Sequence, residues 1–357
     1  MLNALRTRFA PKGKEPPFFE PATIATQCFT VPLIPLIELP PSPSTEGTTI
    51  WLPEQDQGTD KVGITEQFLE NAETYHSRYF QPQTHKALLS RVFDQISFAP
   101  APPALTILDI GSGSGNSVFA CLDLFPQSRI VATDLSPDML CIMARYAKQF
   151  EGDRKRVFAV CMDATSPYFQ AGAFDLVIGG AILHHLLKPE SAIASVSHAL
   201  KPGGVAIFFE PFQAGYSIVR LAYSEIIQRA EAGAAIDPVA LDVLKRIHFD
   251  LQTRMFTDPA DPIYQHLDDK WLFTRSFFEQ HAKAVGLREV TVFSPTDPHT
   301  RKAAFTRQTQ INLKLAAQLE AEALPDWAWE ILDTYDRAFT EELKQELLLD
   351  GCVVFRR

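Results

Sequence analysis

Between residues 105 and 211 the chain alternates short apolar runs with helical patterns. The runs are LTILDI (105–110), RIVATD (129–134), RVFAVCMD (156–163), FDLVIGGA (174–181) and GVAIFFEP (204–211). Strands that are apolar on both faces and separated by helices imply a parallel sheet covered on each side. The helical stretches carry end signals. Ser136 and Pro137 open the stretch 137–150, a capping hydroxyl followed by a residue with no N–H to leave unpaired. The stretch 189–200 stops at Lys201-Pro202-Gly203-Gly204.

The first run leads straight into a glycine-rich turn, ILDIGSGSGN (107–116). An ATP-type loop needs Gly-Lys-Ser/Thr, and this turn has no lysine. A dinucleotide loop needs G-x-G-x-x-G. Here the glycines are Gly111, Gly113 and Gly115, and position 116 is Asn, so the third glycine comes one residue early. Asp109, two residues before the first glycine, has no special use beside a pyrophosphate. It suits a cation. S-adenosylmethionine carries an ammonium group, a carboxylate, a ribose diol, an adenine and a sulfonium. Glycines allow the backbone to come close, and the free N–H groups of the following helix favour the methionyl carboxylate.

On these residues the sequence resembles the class I S-adenosylmethionine-dependent methyltransferases. The stretch Asp109 to Gly115, with Ser112 between the first two glycines, matches their first motif. The resemblance implies that Asp134 in VATDLS, followed by Leu135, meets the ribose hydroxyls. It implies that Asp163 in CMDAT, followed by Ala164, meets the adenine amino group, with Met162 against the ring. FDLVIGGAILHHL, with Gly179, resembles the fourth-strand motif, and LKPGG typically precedes the family's fifth strand. The implied fold is a doubly wound α/β sheet of seven strands with an antiparallel last strand. LREVTVF (287–293) and GCVVFRR (351–357) would supply strands six and seven. The resemblance covers 105–211 closely, 272–293 and 351–357 more loosely, and the rest not at all. The implied cofactor is S-adenosylmethionine.

The remaining segments are additions. Residues 1–62 hold ten of the 26 prolines and read as an extension of short extended pieces or a tail over the core. Residues 63–100 read as helical, with Phe68, Ala72, Tyr75 and Tyr79 near one face. In relatives this segment often folds over the cofactor, which makes Tyr75 a candidate contact. The methyltransferase domain then spans 101–357, with helical inserts at about 212–270 and 300–350. A helical cap suits a small, apolar or aromatic acceptor, and the same apolar residues would serve a homodimer interface. Three residues are candidates for catalysis. His184 and His185 follow the fourth strand, and Glu210 ends the fifth, at the sheet edge where such folds bind ligands. One of them is expected to act as base only if the nucleophile carries a tightly held proton.

Charge and composition narrow the alternatives. The net charge of −10 disfavours nucleic acid as partner. The basic run Asp153-Arg154-Lys155-Arg156 reads as a solvated loop. The five cysteines form no CxxC pair, and no HxxxH or HExxH spacing occurs. Buried free thiols in the cytoplasm, with no dedicated metal site, are therefore expected. No apolar run approaches the roughly 18 residues of a membrane helix. Three other readings stay open: a methyltransferase of protein or RNA, a non-catalytic binding relative, and a nicotinamide enzyme.

Overall fold

The computed structural model describes residues 20–39, 48–58, 72–98, 104–147 and 156–357. Phe68 and residues 153–155 lie outside them. The chain divides into two compact units. The first comprises residues up to Phe209, with Phe278–Thr291 and Val353–Arg357. The second comprises Glu210–Phe277 and Val292–Cys352.

The elements of the first unit begin with α1 (Pro21–Cys28), β1 (Leu33–Leu39), β2 (Thr48–Pro53), α2 (Ala72–Tyr79) and α3 (Pro82–Gln95). The alternating region follows as β3 (Thr106–Ile110), α4 (Asn116–Leu124), β4 (Arg129–Asp134), α5 (Pro137–Ala147), β5 (Val157–Cys161), β6 (Phe174–Gly180), α6 (Pro189–Ala199) and β7 (Leu200–Pro211). Helices α7 (Gln213–Glu231), α8 (Pro238–Phe256), α9 (Pro262–Gln265) and α10 (Arg275–Ala284) lead to β8 (Glu289–Phe293). Then α11 (Pro298–Arg301), α12 (Ala304–Ala317), α13 (Asp326–Ala338) and α14 (Glu341–Glu346) precede β9 (Asp350–Arg356).

The sheet has nine strands in the order β1-β2-β5-β4-β3-β6-β7-β9-β8. From β5 to β7 neighbours run parallel. Arg357 and the Gly203-Gly204 pair exchange backbone bonds of 3.1 Å, which sets β9 antiparallel to β7. Strand order moves one way through β3, β4 and β5 and the other way through β6 and β7. The reversal lies between β3 and β6, and ligands of open α/β sheets bind at the carboxyl ends beside such a reversal. Every residue of β3 is buried, so the glycine turn is launched from the most enclosed strand.

One expectation is extended and one is corrected. The expected seven strands are β3–β9, and the proline-rich extension adds a hairpin at the edge of their sheet, which brings it to nine. β2 joins β5 in parallel through Ile50 opposite Ala159 and Trp51 opposite Val160, and β1 folds back on β2. The register slips between Pro35 and Ile37 on the outer strand, where a proline without an N–H is tolerated. Trp51 stacks on Phe158 with ring centroids 5.7 Å apart, and the Tyr168 hydroxyl donates to Asp56 at 2.8 Å. Arg156, expected in a solvated loop, is buried. Its guanidinium donates to the carbonyls of Leu122, Phe125 and Ser128 around the end of α4 and the following turn, where the Phe125 carbonyl also accepts the Ser128 N–H at 3.0 Å.

The second unit is helical. Its core joins Val219, Tyr223, Val243, Leu244, Leu313 and Leu332 from α7, α8, α12 and α13. α12 lacks a local capping side chain. Buried Asp336 on α13 supplies one from a distance, accepting the Phe305 and Thr306 N–H groups at 3.0 Å each. Gly215 on α7 accommodates the chain at Leu348, whose carbonyl oxygen would stand 2.3 Å from a Cβ there.

Replacing Arg156 with Met should leave three carbonyls without their charged donor. A loss of about 3 kcal/mol or more in urea-unfolding free energy is expected. A loss below about 1 kcal/mol would show that the guanidinium is not a structural cap.

Candidate functional site

The site builds from the turn after β3. Gly111, Gly113 and Gly115 have φ of 68°, 51° and 99°, all left-handed. At Gly111 a Cβ would stand 2.7 Å from the Ile182 side chain, so close packing also demands glycine. At Gly113 the nearest atom to such a Cβ is Met139 Cε at 3.8 Å, so its backbone faces open room. Ser112 anchors the turn to β4, with its N–H donating to the Thr133 carbonyl at 2.9 Å. Its hydroxyl donates toward the Asp109 carbonyl at 2.9 Å.

Asp109 is 2% exposed. Its Oδ2 accepts the Ser117 hydroxyl at 2.6 Å, and Ser117 sits on the first turn of α4. Its Oδ1 is buried without a donor. Burial raises the carboxyl to about 7, against the Ser117 bond, and the nearby Asp134 charge adds to the rise. An unsatisfied buried acceptor costs about 1–3 kcal/mol, more when charged. A group bearing N–H donors and positive charge would relieve both deficits. The donor-seeking oxygen and the room at Gly113 therefore fit the ammonium end of S-adenosylmethionine.

Asp134 ends β4 with both carboxylate oxygens engaged. Oδ2 accepts the Gly113 N–H and Oδ1 the Ser136 N–H, each at 2.8 Å. The residue expected to meet a ribose therefore also binds the glycine turn to the start of α5. Ser136 caps that helix, its Oγ accepting the Met139 N–H at 3.3 Å. Leu135 between them is half-buried, and its carbonyl lies 3.5 Å from the Cys161 thiol. Met162 donates its N–H to the Asp134 carbonyl at 3.0 Å and is buried. Asp163 is half-buried, with Oδ1 accepting the Thr165 N–H at 2.7 Å and hydroxyl at 2.6 Å, and Ala164 is buried beside it. Gly179 has a packing reason to be glycine, since a Cβ would meet the Phe208 ring at 2.5 Å.

On the other side of the strand-order reversal, β6 is followed by Ala181 at φ 58°, a left-handed alanine. This bend turns Ile182 back over Gly111 and leads into the 3-10 turn Leu183–His185. His184 is buried, His185 is half-buried, and their ring centroids are 4.0 Å apart. Glu210 is buried near the end of β7 and belongs to the second unit. Tyr75 is half-buried on α2, with its ring 4.6 Å from that of Tyr79.

Sequence reasoning missed Ser117, Ala181 and Ile182. Ser117 lies eight positions from Asp109, and no helical or strand period links them. Nothing in an alanine announces a left-handed bend. His76 is buried against Phe80 and Tyr146, with centroids at 4.4 and 4.5 Å, and its Nδ1 has no donor or acceptor. Burial lowers its pKa.

Residues 108–206 match the model of a methyltransferase domain. The chain is 29% identical over 157 residues to a malonyl-[acyl-carrier protein] O-methyltransferase of Laribacter hongkongensis, covering 42% of this chain and 50% of that protein. It is 31% identical over 140 residues to a trans-aconitate 2-methyltransferase of Streptomyces avermitilis, covering 38% and 49%. The chain thus spans about half the length of these curated relatives. Among solved structures, a Haemonchus contortus phosphoethanolamine N-methyltransferase 2 in complex with S-adenosyl-L-methionine aligns at a TM-score of 0.44 and 14% identity, covering 87% of this chain and 62% of that one. The strand order and glycine turn, together with the match at 108–206, identify that region as a class I S-adenosylmethionine-dependent methyltransferase domain.

Proposed function

We propose that the chain transfers the methyl group of S-adenosylmethionine to a small organic acceptor, apolar or aromatic in character. The observation that carries the cofactor half is Asp109, a buried carboxylate with one oxygen unanswered beside a glycine turn. When bound, the cofactor supplies an electrophilic methyl group and a thioether leaving group that needs no proton. In this reading Asp109 holds the ammonium, directly or through water. Asp134 takes the ribose hydroxyls on its remaining lone pairs, and Asp163, with Met162, marks the adenine end. The backbone at residues 111–115 keeps side chains out of the way. Alignment of the reacting atoms then contributes up to roughly 7–11 kcal/mol in favourable cases.

The apolar or aromatic character of the acceptor is supported by the aromatic residues Phe209, Trp271 and Phe277, each of which is only half-buried. A second reading is favoured by the names of the relatives, which specify a malonyl group on an acyl-carrier protein and trans-aconitate. Both acceptors bear carboxyl groups. A carboxylate is already ionised at neutral pH and needs no base. An acceptor with a tightly held proton would instead call on His184 or His185.

The two readings separate in turnover at saturating acceptor. With a protonated acceptor, His184→Gln or His185→Gln should lower kcat by about 10²–10⁴. With a carboxylate acceptor, neither change should lower it more than about tenfold. Glu210→Gln belongs in the same series.

The raised carboxyl of Asp109 sets a pH dependence. Below about pH 7 it holds a proton in the free protein, and ammonium binding must displace it. S-adenosylmethionine affinity should therefore rise toward pH 7. It should fall again above about pH 8, where an α-amino group loses its charge. Stability runs the opposite way. The folded-state value lies above the unfolded one, so the contribution of Asp109 is fully present below about pH 4 and is lost as pH rises through about 7. Calorimetric titrations from pH 5 to 9 should show the affinity rise in the wild type and its absence in Asp109→Asn. An identical profile in both would remove Asp109 from the ammonium site.

Asp134→Ala should weaken cofactor binding at least tenfold, by loss of ribose bonds and by loosening of the glycine turn. Unchanged binding by calorimetry would exclude both roles.

A further inference from the structure

The residue that breaks the dinucleotide pattern, Asn116, has a use of its own. It opens α4 immediately after the glycine turn. Its carboxamide reaches across to the junction between α2 and α3. Oδ1 accepts the Gln81 N–H at 2.7 Å, and Nδ2 donates to the Tyr79 carbonyl at 2.9 Å. Only one orientation of the amide satisfies both partners, because the Gln81 N–H can only donate and the Tyr79 carbonyl can only accept. Position 116 thus holds two backbone groups of one turn with one side chain. Aspartate, serine or alanine could not make both bonds.

The same segment is seated on the helices that leave the two candidate cofactor loops. Phe80 meets Phe119 of α4 edge-on at 5.8 Å and Tyr146 of α5 at 4.7 Å. His76 lies against Tyr146, and Ala72 and Tyr75 pack with Met139 and Ile142. Glu73 pairs with Arg145 at 2.9 Å on the surface. The aromatic contacts are non-directional and fix only proximity. The Asn116 clasp is directional and fixes register, and it acts at the residue that continues from Gly115.

We propose that Asn116 is a positioning residue that couples the glycine turn to α2, so that the order of α2 and the affinity for the cofactor are set together. This rests on the cofactor reading above. The coupling is reciprocal: whatever stabilises the turn in its binding conformation must also hold α2, and the reverse.

The test uses the full chain, with S-adenosylhomocysteine as probe, and variants Asn116→Ala and Asn116→Asp. Both keep a residue compatible with the first turn of a helix. Aspartate retains the acceptor for Gln81 but turns an oxygen toward the Tyr79 carbonyl. Amide hydrogen exchange across 72–95 and calorimetric affinity are read on each protein. In the wild type the probe should slow exchange in α2. In both variants exchange of α2 should quicken about tenfold, affinity should fall roughly tenfold, and the probe should protect α2 less. Tm, read in parallel, reports whether a variant has lost the fold as a whole. Wild-type exchange in α2 in both variants would overturn the proposal. Faster exchange with unchanged affinity would also overturn it, since the clasp would then be structural only. If the wild-type chain itself fails to bind the probe, the cofactor reading and the coupling both fall, an outcome distinct from binding that the variants leave intact.

Discussion

Two backbone N–H groups on one carboxylate hold the candidate site together. Asp134 accepts from Gly113 and Ser136, so the turn after β3 and the start of α5 share a single anchor at the tip of β4. A left-handed glycine turn has no internal ladder to stabilise it and must borrow partners from its neighbours. Ser112 provides a second tie, to Thr133 one residue earlier on the same strand. The parallel pairing of β3 and β4 places both ties in reach, with Asp109 opposite Ala132. The sheet register therefore comes first, and the loop follows from it.

Within this frame Asp109 bears a cost. A buried carboxyl with one answered oxygen is neither well solvated nor fully bonded. Functional sites commonly carry such deficits, because a group already satisfied by the protein has little to offer a ligand. The left-handed Ala181 just after the neighbouring strand is a second local cost, of order 1–3 kcal/mol, and it lies where β6 hands over to the histidine pair. Both costs fall beside the reversal of strand order.

Much of the fold was legible because the signals are local. Apolar runs of strand length, Ser136 with Pro137 and the glycine spacing each act within a few residues, and the structure places strands and helices there. The edge hairpin was not legible: prolines in residues 32–53 mask the strand signal, and the pairing partner at 159–160 lies more than a hundred residues away. Arg156 read as surface charge because its partners, the carbonyls of Leu122, Phe125 and Ser128, are invisible until α4 packs on β4, the neighbour of β5. Asp336 is a similar case, capping a helix whose own sequence offers no cap.

The sequence by itself determined the parallel sheet, the glycine turn, the acid before it and the acids at the ends of β4 and β5, since spacing along a strand or turn is a one-dimensional property. Only the tertiary structure decided which atoms of those acids are engaged. Packing left Oδ1 of Asp109 without a donor, occupied both oxygens of Asp134 and brought Asn116 to the turn at Tyr79 and Gln81. Hydrogen bonds form between atoms a few ångströms apart in space, and distance along the chain does not report that separation.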